Sequence, residues 1–257
     1  RLSSFLFTQF AESMILCNFA TMNPVKTYHI IVAAGKGSRF GADLPKQFCL
    51  LDNKPVLMHT IERMRKSLPE SEIVLVLNVD HLSLWEELCH RYDFTSPRVV
   101  TGGSTRWESV KNAVDTIAPD PSIKTVITVH DGARPLINRP MIERIMTAAC
   151  NASGAIPAVA VSDSLRMLDD DGVNSHPVDR QRLRAVQTPQ AFDATKLKQA
   201  YTLPYEPGFT DDASVMAAAG YTDITLVEGD PHNIKITLPD DLAIASLYLR
   251  NEPTKES

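Results

Sequence analysis

Four short apolar runs rich in β-branched residues, at 28–33, 73–77, 99–101 and 126–129, constrain the fold more than any other feature of the chain. Runs of this length without polar alternation read as strands buried on both faces, the pattern of a parallel sheet. The segments between them carry apolar residues at helical spacing. Residues 55–66 place Val56, Leu57, Thr60, Ile61 and Met64 on one face, behind Pro55 in the first turn. Residues 81–91 turn Leu84, Trp85 and Leu88 inward, and a helix at 107–117 starts after Ser104 or Thr105 as its cap. A helix at 140–151 and a strand at 155–161 continue the rhythm. The alternation predicts an α/β, Rossmann-like fold, a mostly parallel twisted sheet with helices on both faces. Ligands of such sheets sit at the carboxyl ends of the strands. Three features fall there: the loop after Ala33, Gly102-Gly103, and the turn from Asp131 to Arg134.

The first of these is Ala33-Ala34-Gly35-Lys36-Gly37-Ser38-Arg39-Phe40-Gly41, closed by Leu44-Pro45-Lys46-Gln47. Ala34, Gly35 and Gly37 let backbone N–H groups come close to a ligand. Lys36, Arg39 and Lys46, against the single Asp43, select an anion, most simply a phosphate chain. The glycine spacing is one residue away from GxGxxG, but the acid at the second strand's end is Asp80, too far along for the ribose contact of a dinucleotide site. No GxxxxGK[ST] is present, which excludes a P-loop on pattern. A nucleoside triphosphate site is the working reading, with a plain tight turn after the strand as the alternative for the glycines alone.

These cations belong to an acidic chain. Its 26 Lys and Arg face 31 Asp and Glu, a net charge of −5. That argues against nucleic-acid or membrane-surface binding, which needs a basic face. No apolar segment is long enough to span a membrane. Cys17, Cys49, Cys89 and Cys150 form no CxxC pair and the histidines no HExxH. Reduced, mostly buried thiols in a cytoplasmic protein without a zinc site are expected. Residues 1–21 lack the apolar core and cleavage site of a signal peptide. Met22 is the expected start, with 1–21 a loosely packed or disordered upstream extension, 22–251 one domain and 252–257 a frayed tail.

From 162 to 184 the rhythm breaks. Charged residues crowd the stretch and Asp171-Gly172 signals a hairpin turn, so it reads as an arm projecting from the sheet or as a solvated loop. Beyond it the pattern predicts helices at 195–201, up to 219 and at 239–249, and strands at 224–227 and 233–237.

Taken together, AAGKGSR at 33–39 with LPKQ at 44–47 resembles the signature loop of sugar- and polyol-phosphate nucleotidyltransferases. His130-Asp131-Gly132-Ala133-Arg134-Pro135, Val178-Asp179-Arg180, Thr188-Pro189-Gln190, Thr210-Asp211 and Asn233-Ile234-Lys235 follow in order. The set is similar to the 2-C-methyl-D-erythritol 4-phosphate cytidylyltransferase family, over about 29–249. Gly132 stands where the family often has alanine, and Ser164 where it often has threonine.

The resemblance implies CTP as donor, a polyol phosphate as acceptor and Mg²⁺ (or another divalent cation) on the triphosphate. It makes Arg39, Lys46 and Lys235 the catalytic cations near the α-phosphate. Ala33, Ala34, Gly35, Gly37, Gly102, Gly103, Ser104, Ser109 and Asp131 would bind CTP. Asp131, Arg134, Ser164, Arg180, Thr188, Thr210 and Lys235 would bind the acceptor. Asp131 also lies where a carboxylate could approach the metal, and no protein ligand to it is firm. The stretch 162–185 would be the arm of a homodimer, carrying Ser164 and Arg180 to the neighbour's acceptor site. Ribitol 5-phosphate remains open as acceptor, since related enzymes share these motifs. A nicotinamide-dependent oxidoreductase is disfavoured by the missing acid, and a nucleotide-sensing module by the full set of cations.

Overall fold

A computed structural model describes residues 25–35 and 44–251. The expectations for 1–21, for 252–257, and for Gly37 and Arg39 lie outside these residues. β1 (Lys26–Ala33) is followed by a small hairpin, β2 (Leu50–Leu51) and β3 (Lys54–Pro55), and then by α1 (Val56–Ser67). β4 (Glu72–Leu77), α2 (Leu82–Arg91), β5 (Arg98–Thr101), α3 (Arg106–Asp115), β6 (Thr125–Asp131), α4 (Arg139–Ala149) and β7 (Gly154–Ala160) continue the alternation. β8 (Leu165–Leu168) and β9 (Ser175–Val178) form a separate hairpin. β10 (Arg184–Val186), β11 (Gln190–Asp193), α5 (Ala194–Ala200), α6 (Asp212–Ala218), β12 (Ile224–Glu228) and α7 (Asp240–Asn251) complete the chain.

β1 lies at the centre, parallel to β4 on one side and β6 on the other, with β5 parallel beyond β4. β11 runs antiparallel to both β6 and β7. β7 then pairs β12 in parallel and β10 antiparallel. The sheet is therefore mixed, with a parallel core. Period-two alternation divides β1 between two cores. Ile31 and Ala33 pack with residues of α1, α2 and α4, while Tyr28 and Ile30 pack with residues of α3, α5 and α6. Each such buried aliphatic side chain contributes roughly 1.5–3 kcal/mol of transfer free energy. Helices thus cover both faces. A third cluster, with Leu51, Val56, Ala133, Leu136, Ile236 and Ala245, joins α7 to the Asp131 turn.

Two expectations need correction. Residues 233–237 form no strand. Ile236 donates its N–H to the carbonyl of Ala133, and Ile234 to that of His232. The β-branched spacing arises because Ile236 is buried in the third cluster and not in a ladder. Among the described cysteines only Cys150 is buried, and Cys49 and Cys89 are partly exposed. Cys49 follows the one-turn helix Lys46–Phe48 and Cys89 lies in the last turn of α2, at the rims of their cores. Leu84 is partly buried and packs inward against the first core, as expected.

The 162–184 stretch is an ordered hairpin, with Leu165 opposite Val178 and Leu168 opposite Ser175. Asp171 makes its turn by accepting from the N–H groups of Val173 and Asn174, and Gly172 takes the left-handed conformation, φ +68°. The hairpin pairs with no strand of the main sheet. Among the described residues, no helix is long and apolar enough to cross a membrane.

Candidate active site

The carboxyl ends of β1, β4, β5 and β6 open into a cleft of about 690 Å³. Its floor is Ala33, Ala34 and Gly35 from β1 and the loop after it, with Gly102, Gly103, Ser104 and Ser109 alongside. Lys46, Asp131 and Lys235 line it as well. Parallel pairing is what gathers these residues, because Ala33 lies beside Leu77 and Leu77 beside Thr101.

Local sequence shapes the floor. Buried Gln47 donates to the carbonyls of Ala33 (2.9 Å) and Gly35 (3.1 Å), tying the one-turn helix that carries Lys46 to the β1 loop. Thr105 caps α3 by accepting from the N–H of Glu108, and Glu108 accepts from those of Ser104 and Thr105, a capping box. Ser109 accepts from Gly103 N–H and donates to Thr105 carbonyl, which clamps the loop from beneath. A Cβ at Gly102 would lie 2.5 Å from Ala34 Cβ, so only glycine permits this approach of the two loops.

The charge of the site centres on Asp131. Lys235 Nζ lies 2.9 Å from its carboxylate, Arg134 Nε 3.4 Å and Arg106 Nε 3.9 Å. Burial by itself would raise the Asp131 pKa, but Lys235, Arg106 and Arg134 outweigh it and hold the carboxyl well below the usual range. Arg134 also donates to the carbonyl of Asn233 at 2.8 Å, which pins the segment carrying Lys235. Arg106 forms a bidentate pair with buried Asp212. Burial alone would lower the Arg106 pKa, and Asp212 more than offsets it. Four cations (Lys46, Arg106, Arg134, Lys235) therefore meet two carboxylates at or beside one cleft. That surplus, set beside the glycine floor, suits a polyanion.

Of the residues named from sequence, the cleft brings together Ala33, Ala34, Gly35, Lys46, Gly102, Gly103, Ser104, Ser109, Asp131 and Lys235. Arg134 stands just behind Asp131. Thr188 is buried, and its hydroxyl accepts from Asp131 N–H at 3.0 Å and pairs with His130 Nδ1, so it supports the turn from beneath. Thr210 is exposed and precedes Asp211, the cap of α6. Ser164 and Arg180 are exposed at the base of the hairpin and do not line the cleft, and Arg180 donates to Ser162 carbonyl. Sequence reasoning missed Arg106, Asp212 and Gln47. Thr105-x-x-Glu108 was a readable capping box placing Arg106 at a helix start, but its partner lies 106 residues away.

Among the described residues, no group of three or more His, Cys, Asp and Glu side chains could hold a metal. Among the described residues, Asp131 is the one carboxylate lining the cleft. A divalent cation arriving on a phosphate chain would fit here, with Asp131 available as a protein ligand.

A family model described as 2-C-methyl-D-erythritol 4-phosphate cytidylyltransferase matches residues 27–251. A relative of that name from Porphyromonas gingivalis is 44% identical over 225 residues, 87% of this chain and 98% of its own. Another from Bacteroides thetaiotaomicron is 45% identical over 222 residues, 86% and 98% of the two chains. The crystal structure of 4-diphosphocytidyl-2C-methyl-D-erythritol synthase from Anaerococcus prevotii superposes with a TM-score of 0.72 at 26% identity, covering 88% of this chain and 98% of that one. The cytidylyltransferase structure from Thermus thermophilus gives a TM-score of 0.67 at 27% identity, covering 88% and 99%.

Proposed function

The chain belongs to the 2-C-methyl-D-erythritol 4-phosphate cytidylyltransferase family, and we infer that it transfers the cytidylyl group of CTP to 2-C-methyl-D-erythritol 4-phosphate. The products are 4-CDP-2-C-methyl-D-erythritol, an isoprenoid precursor, and pyrophosphate. The observation that carries this reading is the convergence of Lys235, Arg134 and Arg106 on Asp131, beside a glycine floor at the strand ends.

An acceptor phosphate oxygen attacks the α-phosphorus in line, the new P–O bond forms, and the bond to the β-phosphate oxygen breaks. The acceptor phosphate has its second pKa near 6 and is largely dianionic at neutral pH, so no general base is needed. The demand is for positive charge where negative charge gathers. Lys46 and Lys235 line the cleft and are suited to that role, with Arg39 as the third cation carried over from the family loop. Backbone groups at Gly102 and Gly103 suit the amide edge of a pyrimidine, and the narrow approach of Ala34 and Gly102 disfavours a purine. Asp131 and Arg134 would hold the acceptor, with Thr188 supporting Asp131 and Thr210 nearby. Mg²⁺ would be held by the triphosphate and would add charge neutralisation there.

The β8–β9 arm exposes Met167, Leu168 and Val173, the last at 83%. Apolar side chains at the tip of a two-stranded hairpin support a homodimer that covers them. In it Ser164 and Arg180 would reach the partner's acceptor site. The free thiols at Cys49, Cys89 and Cys150 support a reducing, cytoplasmic setting. Pyrophosphate release measured with CTP, ATP, GTP and UTP, each with methylerythritol phosphate or ribitol 5-phosphate, tests the reading. Release is expected with CTP and methylerythritol phosphate. Preference for ribitol phosphate would move the acceptor assignment, and no release with any pair would overturn the activity.

A further inference from the structure

The transfer chemistry leaves one buried charge without a task. Asp212 has no solvent exposure. Its two oxygens meet Arg106 Nη1 at 3.1 Å and Nη2 at 2.6 Å, and Tyr201 donates its hydroxyl to Oδ1 at 2.6 Å. The remaining edge of the guanidinium turns Nε toward Asp131 Oδ1, 3.9 Å away. Arg106 is the first residue of α3, where the helix dipole disfavours a cation. The two carboxylates set its position there, against the helix's own preference. Replacing a buried ion pair by apolar residues is often neutral or stabilising, so stability alone does not call for these charges.

The chain Asp212–Arg106–Asp131 joins three elements that carry different parts of the site. α3 follows directly from the glycine floor, Asp131 ends β6, and Asp212 begins α6 two residues after Thr210. Gln190 braces the α6 end, donating to Asp211 at 2.8 Å and accepting from Ala213 N–H at 3.0 Å. We propose that Asp212 and Arg106 are positioning residues for the transfer. Asp212 fixes the guanidinium, and the guanidinium fixes the Asp131 carboxylate relative to the glycine floor. This holds the nucleotide and acceptor sub-sites at reactive separation. Each Nη gives one N–H to Asp212, which fixes the guanidinium plane and with it the direction of Nε toward Asp131. The proposal rests on the cytidylyl-transfer reading.

Pyrophosphate release at saturating CTP and methylerythritol phosphate, with CTP affinity from calorimetry, tests it on D212N, R106M and the double variant D212N/R106M. Since a misplacement of about 1 Å can cost roughly 100-fold, D212N is expected to lower kcat about 10- to 100-fold while the CTP Kd stays unchanged. The double variant should be no slower than R106M alone, because Asp212 acts through Arg106. A D212N enzyme with wild-type kcat, or losses that multiply in the double variant, overturns the proposal. Should a single variant fail to fold around its orphaned charge, the double variant decides. It orphans neither charge, and wild-type kcat in it overturns the proposal while the stated loss with intact CTP binding supports it. A wild-type protein that releases no pyrophosphate overturns the transfer reading itself, a result distinct from active wild type with equally active D212N.

Discussion

Lys46 offers the clearest separation of chemistry from folding at a single residue. Its neighbours Gln47 and Phe48 are buried and anchor the one-turn helix, while the Lys46 side chain belongs to the cleft lining. Lys46→Ala leaves those two anchors in place. It should lower kcat by about 10²–10³-fold, the loss of roughly 3–4 kcal/mol that follows removal of one preorganised transition-state contact. Near-normal kcat would remove Lys46 from the central role. Floor residues such as Ala33, Gly102 and Gly103 were legible in sequence because they fall at the carboxyl ends of strands that the apolar runs mark. Arg106 was not, since its meaning depends on Asp212 and Asp131, which only the folded sheet and helices bring to it.

At the level of elements, the arm carries the sharpest expectation. Arg180 is exposed at the foot of the β8–β9 hairpin and is not among the residues lining the cleft of its own chain. If the arm completes a partner's acceptor site, Arg180→Ala raises the KM for the polyol phosphate and leaves CTP affinity unchanged. Steady-state kinetics beside CTP calorimetry separates the two, and equal loss of both would count against the composite site. The hairpin was readable because Asp171-Gly172 is a local turn signal between strand-like pieces. The segment 233–237 misled for the opposite reason. Its alternating Ile234 and Ile236 look like a strand, but Ile236 is buried against Ala133 and Leu136, and Gln187, Asn233 and Arg134 hold the segment through side chains. Local periodicity reports that a residue is buried, not what buries it. β10 and β11 escaped notice because neither holds a β-branched apolar run such as Val99-Val100 in β5.

Across the whole molecule, the sheet interior sets a pH limit on stability. His29 and His130 are fully buried on neighbouring strands, with His29 beside Thr128 in the β1–β6 register. His29 Nδ1 pairs with Thr128 Oγ1 at 2.5 Å, and its Nε2 has no partner among the described residues. Burial, with a smaller contribution from His130, lowers the His29 pKa to about 3. Burial lowers that of His130 to about 4, against the opposing pull of Asp131. The unfolded chain takes up these protons near pH 6.5 while the folded chain does not, so the unfolded state binds more protons and stability falls as pH drops. The loss begins near 6.5 and runs down to about 4 for His130 and about 3 for His29. Each histidine contributes a slope of about 1.4 kcal/mol per pH unit within its window. Partly buried His59 is shifted in the same direction, again by burial, so a difference measurement isolates His29. The double substitution His29→Leu with Thr128→Val removes both partners of one hydrogen bond, which leaves no new orphan and costs little at neutral pH. Urea unfolding from pH 7 to pH 4.5 should then show the variant losing less stability than wild type, by about 1.4 kcal/mol per unit below 6.5. Parallel losses in the two proteins would mean that His29 is protonated in the folded state, and that the sheet centre is more accessible to water than its packing implies.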